Sequence, residues 1–181
     1  RHTGNASFRM PPPKPNILKG QGVRLLVISA ARDYLHPMTN SPAIWINAGE
    51  TSGDLHGQLL VRALRDMRPD ARFVGMAGPA MREEGVEPLL ATESLSVMGF
   101  TEVLAQLPRI LGLLRTIRER MDALRPDVVV VIDAPDFHFR VVKIAKSLGI
   151  PVVYYISPKL WAWREGRADF LRRHVDRLVC I

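Results

Sequence analysis

The sequence predicts an α/β protein built on a doubly wound parallel sheet, and three observations predict it. Short apolar runs alternate with amphipathic helical patterns from Ala43 onward. The run 128–132, Val-Val-Val-Val-Ile, is apolar at every position, as in a parallel strand covered by helices on both faces. The segments after the runs are rich in acids, hydroxyls and glycines, which is the composition of loops at the carboxyl ends of strands, where open sheets bind ligands.

Taken in order, strands are expected at 44–48, 72–76, 128–132 and 152–156, with a turn at Gly78-Pro79. Helices are expected at 55–67, 107–124 and 137–148. The second of these has apolar residues at Leu107, Ile110, Leu111, Leu114, Ile117, Met121 and Leu124, the spacing of one packed face. Arg109, Arg115, Arg118, Glu119 and Arg120 lie between them, either as a solvated stripe or as a basic face toward an anionic surface. No internal repeat is visible.

With 181 residues and 47% hydrophobic content, the chain holds one good core, and its composition excludes disordered and fibrous classes. The net charge of +7 is unevenly spread. Six of the 25 Lys and Arg but one of the 18 acids fall in residues 1–37, so 38–181 carry only +2 and no nucleic-acid partner is expected. Residues 1–22, with three consecutive prolines and no periodicity, read as disordered; a short strand is conceivable at 23–29. Met38 begins a segment that reads as a natural start, which makes 1–37 an extension or mis-assigned sequence. No stretch suits a signal peptide or a transmembrane span. The single cysteine, Cys180, excludes an internal disulfide, is expected to be a buried small hydrophobe and fits a cytoplasmic location. The run 178–181 reads as a strand cut in its middle, so the chain is expected to be a fragment.

Three loops are candidates for chemistry. The first, Ala48-Gly49-Glu50-Thr51-Ser52-Gly53-Asp54, places two carboxylates and two hydroxyls at a strand end, with Gly49, Gly53 and Gly57 letting backbone approach a bound group. Its spacing fits neither the dinucleotide nor the phosphate-loop fingerprint, and Ser52 or Asp54 could instead cap the helix expected at Leu55. The second, Asp133-Ala134-Pro135-Asp136-Phe137-His138, follows the fully apolar strand; one carboxylate could act as a general base, although Asp136 could simply cap the next helix. The third runs from Ser157 to Arg167 and carries two of the three tryptophans, Trp161 and Trp163. At that spacing they cannot share a helix face, so one lines a pocket or interface unless both are packing anchors. His56 and His138 lie nearby without metal-ligand spacing, no metal is expected, and the absence of a nucleophile elbow makes Ser52 a poor nucleophile. An apolar lip at 96–104 could meet a greasy ligand or begin a buried helix.

These residues together resemble the lipid-A-disaccharide synthase family, glycosyltransferases of GT-B type in bacterial outer-membrane biosynthesis. The resemblance rests on the motif at 48–54, Phe-Val-Gly-Met-Ala-Gly-Pro-Ala-Met at 73–81, Val-Met-Gly-Phe-Thr-Glu-Val-Leu at 97–104, Ile-Asp-Ala-Pro-Asp-Phe at 132–137 and Tyr-Tyr-Ile-Ser-Pro-Lys-Leu-Trp-Ala-Trp-Arg at 154–164. It implies that 38–181 form the acceptor-side, Rossmann-like N-terminal domain of a GT-B fold, with the UDP-binding domain beyond Ile181 and this stretch inactive alone. The implied reaction joins UDP-diacylglucosamine to the 6-hydroxyl of diacylglucosamine 1-phosphate, without cofactor or metal, at the cytoplasmic face of the inner membrane.

By the same resemblance Asp133 is the base. Glu50, Ser52, Gly53, Asp54, Met98, Gly99, Glu102, Asp136 and Ser157 shape the acceptor side, with Trp161 and Arg164 near the cleft. His138 departs from the small polar residue common in the family. A homo-oligomer is left open. The alternatives are another UDP-sugar enzyme of the same architecture and a non-catalytic nucleotide-binding module whose acids only cap helices.

Overall fold

A computed structural model of the protein describes residues 41–92, 107–157 and 166–180. Six strands, β1 (Ala43–Ala48), β2 (Arg72–Ala77), β3 (Glu87–Ala91), β4 (Val128–Ile132), β5 (Val152–Tyr155) and β6 (Arg177–Val179), form one sheet in the order β3-β2-β1-β4-β5-β6. Every pairing is parallel. The helices between them are α1 (Thr51–Met67), α2 (Pro79–Glu83), α3 (Leu107–Leu124), α4 (Pro135–Ser147) and α5 (Gly166–His174). β1 and β4 are neighbours, with Ile44 opposite Val128 and Ala48 opposite Ile132, and the chain winds outward from this pair in both directions.

The alternation of side chains along each strand builds two cores. Ile44, Ile46 and Ala48 of β1 and Val128, Val130 and Ile132 of β4 pack under Leu60, Val61 and Leu64 of α1 and Met81 of α2. On the other face Trp45, Val129 and Val131 meet Ile117 and Met121 of α3 and Val141, Val142 and Ala145 of α4. The uninterrupted apolarity of β4 is thus the signature of a strand with helices on both sides, and each such buried side chain contributes about 1.5–3 kcal/mol.

The expected doubly wound sheet is present, and several local expectations are corrected. α1 begins at Thr51, a full turn before Leu55, because Glu50 takes the extended N-cap position and its carbonyl accepts the Asp54 amide at 2.9 Å. Gly78-Pro79 opens α2 rather than a plain turn, since a proline needs no amide donor at the first helical position. β3 was not expected: its Glu-Pro-Leu-Leu-Ala is an edge strand with a proline, lacking the β-branched composition of a central one. β5 ends at Tyr155, and α4 runs from Pro135 to Ser147 instead of 137–148. Cys180 is exposed, because it follows β6 rather than lying within it.

A side-chain device at the amino edge of the sheet was also missed. Asp127 Oδ2 accepts the Ala43 amide at 2.8 Å, Asp176 Oδ2 the Val152 amide at 2.8 Å, and Asp70 Oδ2 the Ser41 amide at 3.2 Å. Two of these aspartates close the repeated triplet Arg-Pro-Asp, at 68–70 and 125–127, which was the available signal. Within the sheet β2 is irregular at Gly75, whose φ of +142° accompanies a register shift toward β3. There the Met76 amide bonds the Asn47 side-chain oxygen at 3.0 Å, which also accepts Trp45 Nε1 at 2.7 Å.

Candidate active site

The carboxyl ends of β1 and β4 form the point where α1 leaves toward one face and α4 toward the other, the crevice in which doubly wound sheets hold ligands. The β1–α1 junction supplies Gly49 and Glu50, and the β4–α4 junction supplies Asp133 and Ala134. The two junctions touch. A Cβ on Gly49 would overlap that of Ala134 and reach ordinary contact with His138 Cε1 at 3.6 Å. Gly49→Ala is therefore expected to cost about 1–3 kcal/mol through overpacking. Gly53→Ala, where the nearest atoms stand at 3.5–3.6 Å, is expected to be neutral or mildly stabilising in a helix. Thermal midpoints of the two variants check the contrast.

Of the first loop, Glu50 is exposed and its side chain makes no capping bond, while Thr51 and Ser52 are exposed in the first turn of α1. Asp54 points elsewhere. It is 2% exposed, and its carboxylate accepts the amides of Gly78, Ala80 and Met81 at 2.8, 2.9 and 3.2 Å. The alternative in which Ser52 or Asp54 caps α1 is thus set aside: α1 starts early, residue 54 turns inward, and Asp54 caps α2 instead. A Cβ on Gly78 would overlap that carboxylate.

The second loop is a left-handed corner. Asp133 and Ala134 have φ of +52° and +43°, each costing about 1–2 kcal/mol for a residue with a Cβ. Three contacts hold it. The Asp133 amide donates to Tyr155 O at 3.2 Å, and the Asp133 carbonyl accepts Tyr154 Oη at 2.8 Å and pairs with His138 Nδ1 at 2.7 Å. Asp133 is half-buried, directly after the carboxyl end of β4. Ala134, not Asp136, is the N-cap of α4, so the capping alternative for Asp136 is set aside as well; its exposed carboxylate pairs with Arg167 Nη2 at 3.1 Å. Burial first, and the Asp133 charge second, push the Tyr154 hydroxyl far up, with Arg167 opposing; Asp133, Tyr154, Asp136 and Arg167 share one electrostatic neighbourhood.

His138 is completely buried, and burial lowers its imidazole to about 4, against the raising effect of its backbone bonds. With a folded value below the unfolded 6.5, the group leaves stability untouched above about pH 6.5 and costs progressively more as pH falls toward 4, where the unfolded chain alone takes up the proton, on the order of 3 kcal/mol in all. His138→Leu is expected to flatten that slope. Denaturation midpoints of parent and variant at about pH 7 and about pH 5 read it directly.

From the third loop Ser157 lies at the end of β5, its amide donating to Val179 O at 3.1 Å, next to the left-handed Ile156. Met98, Gly99, Glu102, Trp161 and Arg164 lie outside the described residues, as do the lip at 96–104 and residues 1–37. Tyr154 and Arg167 were not singled out from sequence. A tyrosine in an otherwise apolar strand run, whose hydroxyl must find a partner when buried, was the signal for the first. Among the described residues no group of three His, Cys, Asp or Glu could hold a metal ion, and no helix is long and apolar enough to cross a membrane.

Comparison with known proteins gives a consistent result. A family model described as lipid-A-disaccharide synthetase matches residues 44–181. A lipid-A-disaccharide synthase from Myxococcus xanthus is 50% identical over 80% of this chain and 38% of its own length. One from Methylobacillus flagellatus is 46% identical over 77% and 37%. The chain therefore spans less than two fifths of the length of these curated relatives. A Listeria monocytogenes crystal structure described as a UDP-N-acetylglucosamine 2-epimerase superposes with a TM-score of 0.51 at 13% identity, covering 78% of this chain and 39% of that one, a likeness of fold.

Proposed function

Because the chain belongs to the lipid-A-disaccharide synthetase family, we propose that it forms the acceptor-side domain of a glycosyltransferase that joins UDP-2,3-diacylglucosamine to 2,3-diacylglucosamine 1-phosphate. In this reading the acceptor's 6-hydroxyl gives its proton to the Asp133 carboxylate. The oxygen attacks the anomeric carbon of the donor, the bond from that carbon to the diphosphate breaks, and UDP departs with the electron pair. The observation that supports it most is Asp133 itself, half-buried at the sheet's switch point on a backbone held in the left-handed region. Glu50 and Ser52 on the adjoining junction, with Gly53, Asp136 and Ser157, and Met98, Gly99 and Glu102 by sequence, shape the acceptor side around it, Trp161 and Arg164 lie near the cleft, and Asp54 acts on the site only through α2, whose first turn it caps. A second domain supplies most contacts to UDP.

The test is disaccharide formation by the protein expressed from the complete reading frame, given both diacylated substrates. Product at enzymatic rates supports the reading. No product from a well-folded protein moves it to another UDP-sugar enzyme of this architecture or to a binding module.

Acylated substrates place the working enzyme against the cytoplasmic face of the inner membrane. The apolar segment around Phe100 and the basic residues of α3 are the parts proposed to meet it. Phe100→Asp is expected to reduce co-sedimentation with anionic liposomes severalfold, and unchanged association would count against this contact.

A further inference from the structure

We infer that His138 and Tyr154 are positioning residues for Asp133: their imidazole and phenol converge on its backbone carbonyl and fix the corner that aims its carboxylate into the crevice. The inference rests on the reading of Asp133 as the general base.

The carbonyl has two acceptor sites, and both are taken, by Nδ1 of His138 from α4 at 2.7 Å and by Oη of Tyr154 from β5 at 2.8 Å. Two donors from different elements fix the plane of the peptide that follows Asp133. They thereby fix the Cα to Cβ direction of a residue that sits in an unfavourable backbone region. The Tyr154 ring is itself held edge-on by Phe139, centroid to centroid 6.1 Å. Stability alone gives no reason for this histidine. It is fully buried and its Nε2 has no partner, a cost that offsets much of what its Nδ1 bond contributes. Burial keeps the imidazole neutral, so the proton on Nδ1 faces the Asp133 carbonyl and Nε2 is bare.

The experiment measures kcat, KM for both substrates and thermal midpoints for the protein from the complete reading frame and for His138→Leu, His138→Asn and Tyr154→Phe. The Leu and Phe variants are expected to lose about 10- to 100-fold in kcat with KM little changed, a loss far larger than any change in their thermal midpoints explains. The Asn variant, whose side-chain amide nitrogen takes the place of Nδ1, is expected to recover to within about threefold of the parent. Parental kcat in the Leu and Phe variants, or an Asn variant no faster than Leu, overturns the inference. If the Leu variant fails to fold, parental kcat in Tyr154→Phe overturns it alone. A long-range proton–nitrogen spectrum of the parent adds a readout independent of turnover, in which an Nε2-protonated His138 also overturns it. An Asp133→Asn variant as fast as the parent removes the base on which the inference rests, whereas a well-folded parent that forms no disaccharide overturns the proposed function itself.

Discussion

Asp133→Asn, in the protein from the complete reading frame, is expected to fold as the parent does and to lose about 10²–10⁴-fold in kcat, the usual worth of a general base. The substitution keeps the size and shape of the side chain. It leaves untouched the carbonyl that His138 and Tyr154 hold and the amide bonded to Tyr155, so the corner should persist. What is removed is the capacity to accept a proton as the acceptor hydroxyl attacks. KM for both substrates should move little, since a base acts mainly in the transition state. Asp136→Asn, three residues on, is the comparison for stability alone. Its carboxylate is 79% exposed and pairs with one arginine, so its loss should change stability by no more than about 1 kcal/mol. Initial rates of disaccharide formation beside circular dichroism decide the matter; parental kcat in the Asp133→Asn variant would remove Asp133 from the role.

Asp54→Ala is expected to show the opposite pattern, a loss of about 3–5 kcal/mol in stability and a thermal midpoint lower by about 10 °C. One buried carboxylate accepts three amides at the start of α2, and its removal leaves donors without partners under the β2–α2 junction. Charged acceptors make the stronger hydrogen bonds, and unmet buried donors cost about 1–3 kcal/mol each. Ser52→Ala, two residues earlier and exposed, should change stability by less than about 0.5 kcal/mol. Thermal denaturation of both variants separates the readings of Asp54. A midpoint that stays at the parental value with a raised KM would mean that the carboxylate serves substrate rather than α2.

The contrast between Asp133 and Asp54 shows how far the sequence reaches. Both were legible as acids at strand ends, because the apolar runs at 44–48 and 128–132 and the glycine-rich or proline-containing segments after them mark a strand-to-helix junction by local chemistry alone. Their different duties were not. Asp54 meets Gly78, 24 residues away, and Tyr154 meets Asp133 across 21; no periodicity or capping rule that acts within one turn carries such information. The same limit explains the misplaced start of α1. Capping of the next helix was the local alternative for Asp54, whereas the amides that its carboxylate meets belong to α2, brought alongside by the sheet.

What the sequence determined by itself was the winding: uninterrupted apolar runs and 3.6-period helices between them admit few arrangements other than a parallel sheet with helices on each side, and five motifs in order tied it to a family. Only the tertiary structure decided which side chain of each junction faces the crevice, which is spent on a neighbouring helix, and that His138 and Tyr154 share one carbonyl. Patterning fixes which face of an element is buried, because burial is a sum over many side chains; the direction of a single polar group depends on a few contacts made by residues far apart in the chain, and those exist only once the sheet has closed.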